Sequence, residues 1–401
     1  MYSKSMAKKY KNHFLKYGYL TLAVLILLEA FLYVQPVSSI QPQTASLETI
    51  TTKPADFAWP AYGQSAFSVP DYSVNQSHGQ QKPTPIASVA KIITALAILK
   101  EKPLKVGEQG PTITLGAADL SYYQYYAAQG GSVITVTSGE QISEYQALEA
   151  MLLPSANNMA QSLAVWAFGS TDQFKTYVSS YLKDLGAIHT HMDDASGFSP
   201  ATTSTASDLA KIAAQAIDNP TLADIVSHWQ ADIPTGTTYN TNWLVGSHDV
   251  IGIKTGNTDQ AGGCFMFAAK RAVGGRNITV VGDILNAPSL NSSMQDSLSL
   301  IDTVYANFET TAIVHKNQII GSYSTPWGAK SNAVAQKDIS LLIWKGSEPV
   351  VTSNLKNVKT PAITGANVGS ITVSNLDQKT SSPVILQNTL ANPSLKWRLF
   401  R

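Results

Sequence analysis

Pro85-Ile86-Ala87-Ser88-Val89-Ala90-Lys91, continuing as Ile92-Ile93-Thr94-Ala95-Leu96-Ala97-Ile98-Leu99, is the stretch around which the rest of this 401-residue chain is read. From Ala87 to Leu99 it is almost wholly apolar, the signature of a helix buried on all sides rather than of a surface amphipath. Ser88 and Lys91 interrupt it at a spacing of three, which puts both side chains on one face and in reach of each other. A serine hydroxyl is a weak nucleophile until a neighbouring base takes its proton. A lysine becomes such a base when burial disfavours its ammonium form. A lysine inside an apolar helix is costly without a role or a partner, although a serine and a lysine three apart also occur on ordinary solvated helix turns.

Working outward, the flanking segments predict a sheet packed with helices. Ser143-Glu144-Tyr145-Gln146 offers a capping box for a helix Glu144–Leu153. A second helix is predicted over Asn157–Phe168 and a third over Ser207–Ile217, with Ser207 as its cap. Ile251–Lys254, Cys264–Ala269 and Ile278–Gly282 are short apolar runs between Gly-rich turns, an antiparallel meander. A last helix is expected near Ser297–Phe308. This order makes residues 55–310 an α+β domain. Beyond it, Ala312–Val314, Ile339–Trp344, Pro349–Val351 and Ser370–Val373 alternate with Gly, Pro, Asn and Ser, so 311–401 reads as a small all-β domain. No internal repeat is evident.

The N-terminus carries the localisation signal. Lys4, Lys8, Lys9, Lys11 and Lys16 precede the 18-residue apolar run Tyr17–Val34, whose only charge is Glu29. About 20 apolar residues cross a bilayer as a helix, with a range of roughly 17–25. The lysine bias orients residues 1–16 to the cytoplasm and the rest of the chain outside. The segment 17–34 reads as a retained transmembrane signal-anchor; the competing reading is a signal peptide cleaved near Pro36-Val37-Ser38-Ser39. Residues 35–54, rich in Ser, Thr, Pro and Gln, are expected to form a flexible linker. A net charge of +1 with 14% charged residues gives no basic excess for nucleic acid. The single cysteine, Cys264, excludes an internal disulfide and multi-cysteine metal frameworks. No metal or cofactor is called for.

Two further motifs carry chemistry. Ser155-Ala156-Asn157, 67 residues after Ser88, lies between two predicted helices. There a hydroxyl and a carboxamide can relay a proton and hold a carbonyl, although Ser and Asn are equally the usual helix caps. Lys254-Thr255-Gly256 follows 99 residues later at the end of a predicted strand. Its lysine and threonine suit a carboxylate, and its glycine lets substrate approach the backbone; a plain strand end reads the same way.

Together and in this order, the three motifs resemble the S-x-x-K, S-x-N and K-T-G signature of penicillin-binding proteins and serine β-lactamases. The flanks Leu152-Leu153-Pro154-Ser155-Ala156-Asn157-Asn158, Asp194-Ala195-Ser196-Gly197-Phe198 and Gly252-Ile253-Lys254-Thr255-Gly256-Asn257-Thr258 are similar to the low-molecular-mass D-alanyl-D-alanine carboxypeptidases. The tail resembles that family's C-terminal β-domain more loosely, through Ile363–Ile371. The resemblance implies a β-lactamase/transpeptidase-like fold and a membrane-held serine peptidase acting on peptidoglycan stem peptides. It also implies inhibition by β-lactams. It makes Ser88 the nucleophile, Lys91 its base, and Ser155 with Lys254 the proton relay to the departing D-alanine. Asn157 would orient the acyl amide, and Lys254 and Thr255 would hold the terminal carboxylate. Gly256, Asn257 and Thr258 would line the substrate, with the backbone N–H groups of Ser88 and Asn257 holding the oxyanion.

The chain departs from that pattern in one respect. The family often places an arginine after the third strand, near the substrate carboxylate, whereas no Lys or Arg stands between Arg276 and Lys316. Alternatives on the same scaffold are a D,D-endopeptidase or transpeptidase, a β-lactamase, and an idle penicillin-sensing or wall-binding module. A class A β-lactamase needs a glutamate to activate its deacylating water, and none lies between Asn157 and Lys254. Tyr122, Tyr123, Tyr125 and Tyr126 suggest packing of a long loop or a wall of the cleft. The tail after Pro393 looks too short for a C-terminal amphipathic anchor helix.

Overall fold

The computed structural model describes residues 2–47, 53 and 56–400, with the side chains of residues 2–13 left aside. The chain divides into two compact units. One runs from Lys53 to Glu309; the other joins the N-terminal segment, up to Thr52, to everything from Thr310 onward.

The first unit is built on a five-stranded antiparallel sheet. Its strands are β1 (Gln64–Val69), β2 (Val74–His78), β3 (Val250–Thr258), β4 (Gly262–Val273) and β5 (Arg276–Ala287), in the spatial order β3-β4-β5-β1-β2. The meander β3-β4-β5 is closed by short turns, and β1 pairs with β5 at Phe67–Gly282. The helices that bear on the site are α1 (Ala90–Glu101), α2 (Ala117–Ala128), α3 (Glu144–Leu152), α4 (Asn157–Phe168), α5 (Ala206–Asp218) and α6 (Leu290–Tyr305), beside two further helices, Thr171–Asp184 and Pro220–Val226. α5 packs on β1 and β5, while α6 packs on β4 and β5. α1 is buried from Ala90 to Leu99, within a single apolar core shared with α3, α4 and α5.

Several element ends differ from the sequence expectation. The first turn of the Ser88 segment is a 3-10 turn, Ala87–Val89, and the α-helix begins at Ala90. Thr205, not Ser207, caps α5, by accepting from the Asp208 N–H. Ser207 instead points its hydroxyl at Gln81 Oε1, 2.8 Å away. The last helix starts at Leu290, capped by Ser289, well before Ser297. Ser and Asn at its first turn masked a start that only the cap geometry reveals. α3 keeps its capping box, with Ser143 and Gln146 bonded reciprocally at 3.1 and 3.2 Å.

The second unit holds a six-stranded antiparallel sheet over a core of Tyr323, Ile371, Val373, Val384 and Leu386. Its outermost strand is Gln43–Thr44, paired to Ile319–Ser324. This corrects the expectation of a flexible linker over 35–54. Ile40 is buried, exchanges hydrogen bonds of 2.8 and 2.9 Å with Val358, and Ala45 N–H donates to Ile320. An edge strand with unpaired backbone recruits whatever extended segment passes it. The linker positions 48–52 and 54, and residue 55 beyond them, lie outside the described residues.

A continuous helix spans Tyr2–Val34, and Phe14–Val34 is long and apolar enough to cross a membrane, with none of it buried against protein. That helix fits a membrane anchor. At the C-terminal end Leu395–Phe400 forms a short helix of six residues. Its Arg398 donates to the Tyr33 carbonyl at 2.6 Å, and Trp397 packs edge-on against Trp327. The carbonyls ending a helix lack intrahelical partners, and a guanidinium satisfies them at short range.

Candidate active site

Ser88 sits half-exposed at the N-terminal end of α1, with Lys91 one turn further on and fully buried. Lys91 Nζ lies 2.7 Å from Ser88 Oγ, 2.7 Å from Asn157 Oδ1 and 3.0 Å from the Ser196 carbonyl oxygen. A neutral amine has two N–H donors for the two pure acceptors and keeps its lone pair for the Ser88 hydroxyl. Burial pushes the Lys91 pKa well below its ordinary value, and the charge of Lys254 lowers it further; Asp194 opposes both.

The turn carrying Ser88 is under conformational load. Ala87 has φ +46, a left-handed conformation that L-residues rarely adopt. It is held there by Gly197, φ +74, where an added Cβ would lie 1.8 Å from the Ala87 carbonyl oxygen. Gly197 belongs to a turn centred on Asp194, whose carboxylate accepts from Ser196 Oγ, Thr202 Oγ1 and the N–H groups of Gly197 and Phe198 at 2.6–3.0 Å. The same turn presents the Ser196 carbonyl to Lys91. Asp194 thus fixes both the backbone beneath Ser88 and one acceptor of Lys91.

Ser155 occupies the connection between α3 and α4 with φ +66. Its hydroxyl is buried and hydrogen-bonds no other group among the described residues. Buried hydroxyls are normally satisfied, and strained backbone of this kind clusters at functional sites. Asn157 is the first residue of α4; its N–H donates to the Ser132 carbonyl at 2.8 Å.

β3 runs past Ser88 on the other side. A Cβ on Gly256 would stand 3.0 Å from Ser88 N and 3.1 Å from Ile86 O, so glycine sets how closely strand and helix end approach. Lys254 is fully buried, donates to the Thr255 carbonyl at 3.1 Å, and has its pKa pushed down to about 7 by burial. Asn257 and Thr258 line, with Ser88 and Asn157, an open cleft of about 500 Å³. Gln129–Ser132, Gly197, Phe198, Pro200, Asp259 and Gln260 complete it. None of the described residues lining this cleft is a lysine or arginine.

The fold therefore joins Ser88, Lys91 and Asn157 by direct contacts, brings Asn257 and Thr258 to the same cleft, packs Gly256 against the Ser88 backbone, and sets Lys254 close enough to perturb Lys91. Ser155, two residues before Asn157, is buried and hydrogen-bonded to none of them. Sequence reasoning passed over Asp194 and Ser196 as bearers of a role, and over Thr241 altogether. The Thr241 hydroxyl stands 2.6 Å from that of Thr255. Their signal, a loop carboxylate beside Ser-Gly and an isolated threonine, is unreadable until the chain is closed. The tyrosines lie on α2 rather than on a loop. Tyr126 stacks edge-on against Phe198, and burial pushes its pKa up to about 12.

A half-exposed serine on a buried lysine, with an asparagine and a strand-borne lysine, between a helical layer and an antiparallel sheet, defines a serine hydrolase of the penicillin-recognising fold. Comparison with known proteins specifies it further. The model of the peptidase S11 family, D-alanyl-D-alanine carboxypeptidase, matches residues 73–288, and the chain belongs to that family. It is thereby a serine peptidase. A D-alanyl-D-alanine carboxypeptidase of Streptomyces sp. strain K15 is 30% identical over 238 residues, 55% of this chain and 78% of that protein. The carboxypeptidase DacD of Salmonella typhimurium is 24% identical over 335 residues, covering 80% and 84%. Among solved structures, penicillin-binding protein 5 of Haemophilus influenzae shares the fold with a TM-score of 0.58 at 20% identity, covering 85% of this chain and 99% of that one. A variant of the Streptomyces K15 DD-transpeptidase gives 0.54 at 26% identity, covering 61% and 97%.

Proposed function

We propose that this chain removes the terminal D-alanine from peptidoglycan stem peptides through an acyl-enzyme on Ser88, outside a membrane to which residues 17–34 tether it. The observation that carries the reading is a fully buried lysine amine 2.7 Å from one particular hydroxyl. Neutral Lys91 takes the Ser88 proton as Oγ attacks the carbonyl between the two D-alanines. The backbone N–H groups of Ser88 and Asn257 hold the oxyanion, each such donor worth about 3 kcal/mol in the transition state. The unpartnered Ser155 hydroxyl, with Lys254, passes a proton to the leaving amine. Asn157 orients the acyl amide, and Lys254 and Thr255 take the terminal carboxylate. Water then cleaves the ester. A β-lactam ring acylates Ser88 by the same steps and leaves slowly.

Among the described residues lining the cleft, the only carboxylate is Asp259. Glu144 and Glu149, buried on α3, do not line it. This favours a peptidase over a β-lactamase that would need a glutamate for its deacylating water. Transfer to an amine in place of water is a second reading, since solved structures of the Streptomyces K15 protein bear the name DD-transpeptidase.

The test is intact-mass measurement after penicillin treatment, with peptide mapping, alongside D-alanine release from a pentapeptide. A single adduct on Ser88, absent in Ser88→Ala, is expected. An adduct that survives in Ser88→Ala means another residue is the nucleophile.

A further inference from the structure

Thr255, in the third motif, is paired through its hydroxyl with a residue of the preceding loop. Thr241 Oγ1 lies 2.6 Å from Thr255 Oγ1 and 3.3 Å from the Leu153 carbonyl, which the Thr241 N–H also reaches at 3.0 Å. Thr255 is almost fully buried and Thr241 is exposed. Leu153 precedes the Ser155 turn by two residues, so this chain of contacts ties the second motif to the third.

We propose that Thr241 is a positioning residue that lets Thr255 bind either a carboxylate or a carboxamide, so that the enzyme accepts a substrate ending in a free acid and one continuing as an amide. The proposal rests on the carboxypeptidase reading above. A hydroxyl has one proton and two lone pairs. In one arrangement Thr255 donates to Thr241, and Thr241 donates to the Leu153 carbonyl. Thr255 then turns a lone pair to the substrate terminus and accepts from an amide N–H. In the other, both hydroxyls turn: Thr241 donates to Thr255, and Thr255 donates its own proton to a carboxylate. The Leu153 carbonyl makes the reversal possible, because it retains the Thr241 N–H when the hydroxyl turns away. No bond other than hydrogen bonds forms or breaks.

The charge around the cleft points the same way. With no lysine or arginine among its described lining residues, and burial pushing Lys254 down to about 7, little fixed positive charge rewards a carboxylate over a neutral amide. In an enzyme with a standing cation there, a free acid would dominate.

The test compares acyl-D-Ala-D-Ala with its C-terminal amide, following release of D-alanine or D-alaninamide by the full chain, its Thr241→Val variant and its Thr241→Ser variant. The unaltered enzyme is expected to use both substrates with kcat/KM values within about tenfold. Thr241→Val keeps the shape but gives the Thr255 proton no acceptor when Thr255 itself accepts; a buried donor left unmade costs enough for about a tenfold loss. That loss falls on the amide substrate, mainly in KM, while the acid substrate stays within about twofold. Thr241→Ser retains both activities. Equal loss on both substrates in Thr241→Val would mean that Thr241 merely supports the loop, and a preference for the acid beyond about a hundredfold in the unaltered enzyme would equally overturn the proposal. If neither peptide is cut while penicillin still labels Ser88, the carboxypeptidase reading falls and takes this one with it.

Discussion

Replacing Lys91 by methionine isolates the base. Methionine approximates the lysine stem in length, stays apolar inside α1 and can take no proton. Two buried acceptors lose a donor, Asn157 Oδ1 and the Ser196 carbonyl. Unmade buried hydrogen bonds cost about 1–3 kcal/mol each. Against that, the cost of burying an amine between Lys254 and the apolar core disappears, so the net loss of stability is expected to be smaller than the sum. Catalysis has no such offset. General-base assistance contributes about 10²–10⁴-fold, or roughly 3–5 kcal/mol of barrier. Stopped-flow acylation with a fluorescent penicillin should therefore slow by at least about 10²-fold, with thermal unfolding followed in parallel to establish that the variant is folded. The pH profile adds a sign. In the unaltered enzyme acylation rises with pH as Lys91 loses its proton, at a pH well below the ordinary lysine value because burial and Lys254 lower it. In Lys91→Met that rise should vanish. A folded Lys91→Met protein acylating within about tenfold of the parent, with the same rising limb, would refute Lys91 as the base.

Three further outcomes follow from the same geometry. Gly197→Ala must both hold φ +74 and displace the Ala87 carbonyl; the shifted Ser88 should lower acylation by about 10²-fold, and an unchanged rate would show that this turn does not set the nucleophile. Asp283, fully buried on β5 with neither oxygen hydrogen-bonded to a described group, has its pKa raised well above the ordinary carboxylate value by burial. The unfolded chain ionises it first, so stability falls by about 1.4 kcal/mol per pH unit between the unfolded and folded values; Asp283→Asn should flatten that slope and be the more stable protein at pH 8, and identical melting curves from pH 5 to 8 would contradict it. A chain beginning at residue 46 loses Ile40 and Gln43–Thr44 from the second unit, and about 1.5–3 kcal/mol for the buried side chain alone. Compared with one beginning at residue 36, its Ile319–Ser324 amides should exchange faster, and equal protection would restore the linker reading.

What the sequence determined by itself was local chemistry and periodicity. The apolar run Ala87–Leu99 had to be buried, because no helix apolar on every side is stable in water. Ser88 and Lys91 had to face each other, because helical geometry brings residues three apart together. The meander Val250–Ala287 was legible as short apolar runs between Gly-rich turns, and the membrane-length helix as one long apolar run. The ends of α5 and α6 were not, since several adjacent Ser and Thr residues are each able to cap and only packing selects among them.

The tertiary structure alone decided what depends on residues far apart in the chain. It set Asn157 on Lys91 across 66 positions and Gly197 beneath Ala87. It gave the two lysines a shared low-dielectric site that lowers the pKa of Lys91, which no composition encodes. It turned Gln43–Thr44 from an apparent spacer into a strand, because backbone pairing at an open sheet edge is nearly indifferent to side chains. And it placed Thr241 against Thr255, a contact of two hydroxyls 14 residues apart that leaves no trace in hydrophobic pattern, charge or spacing.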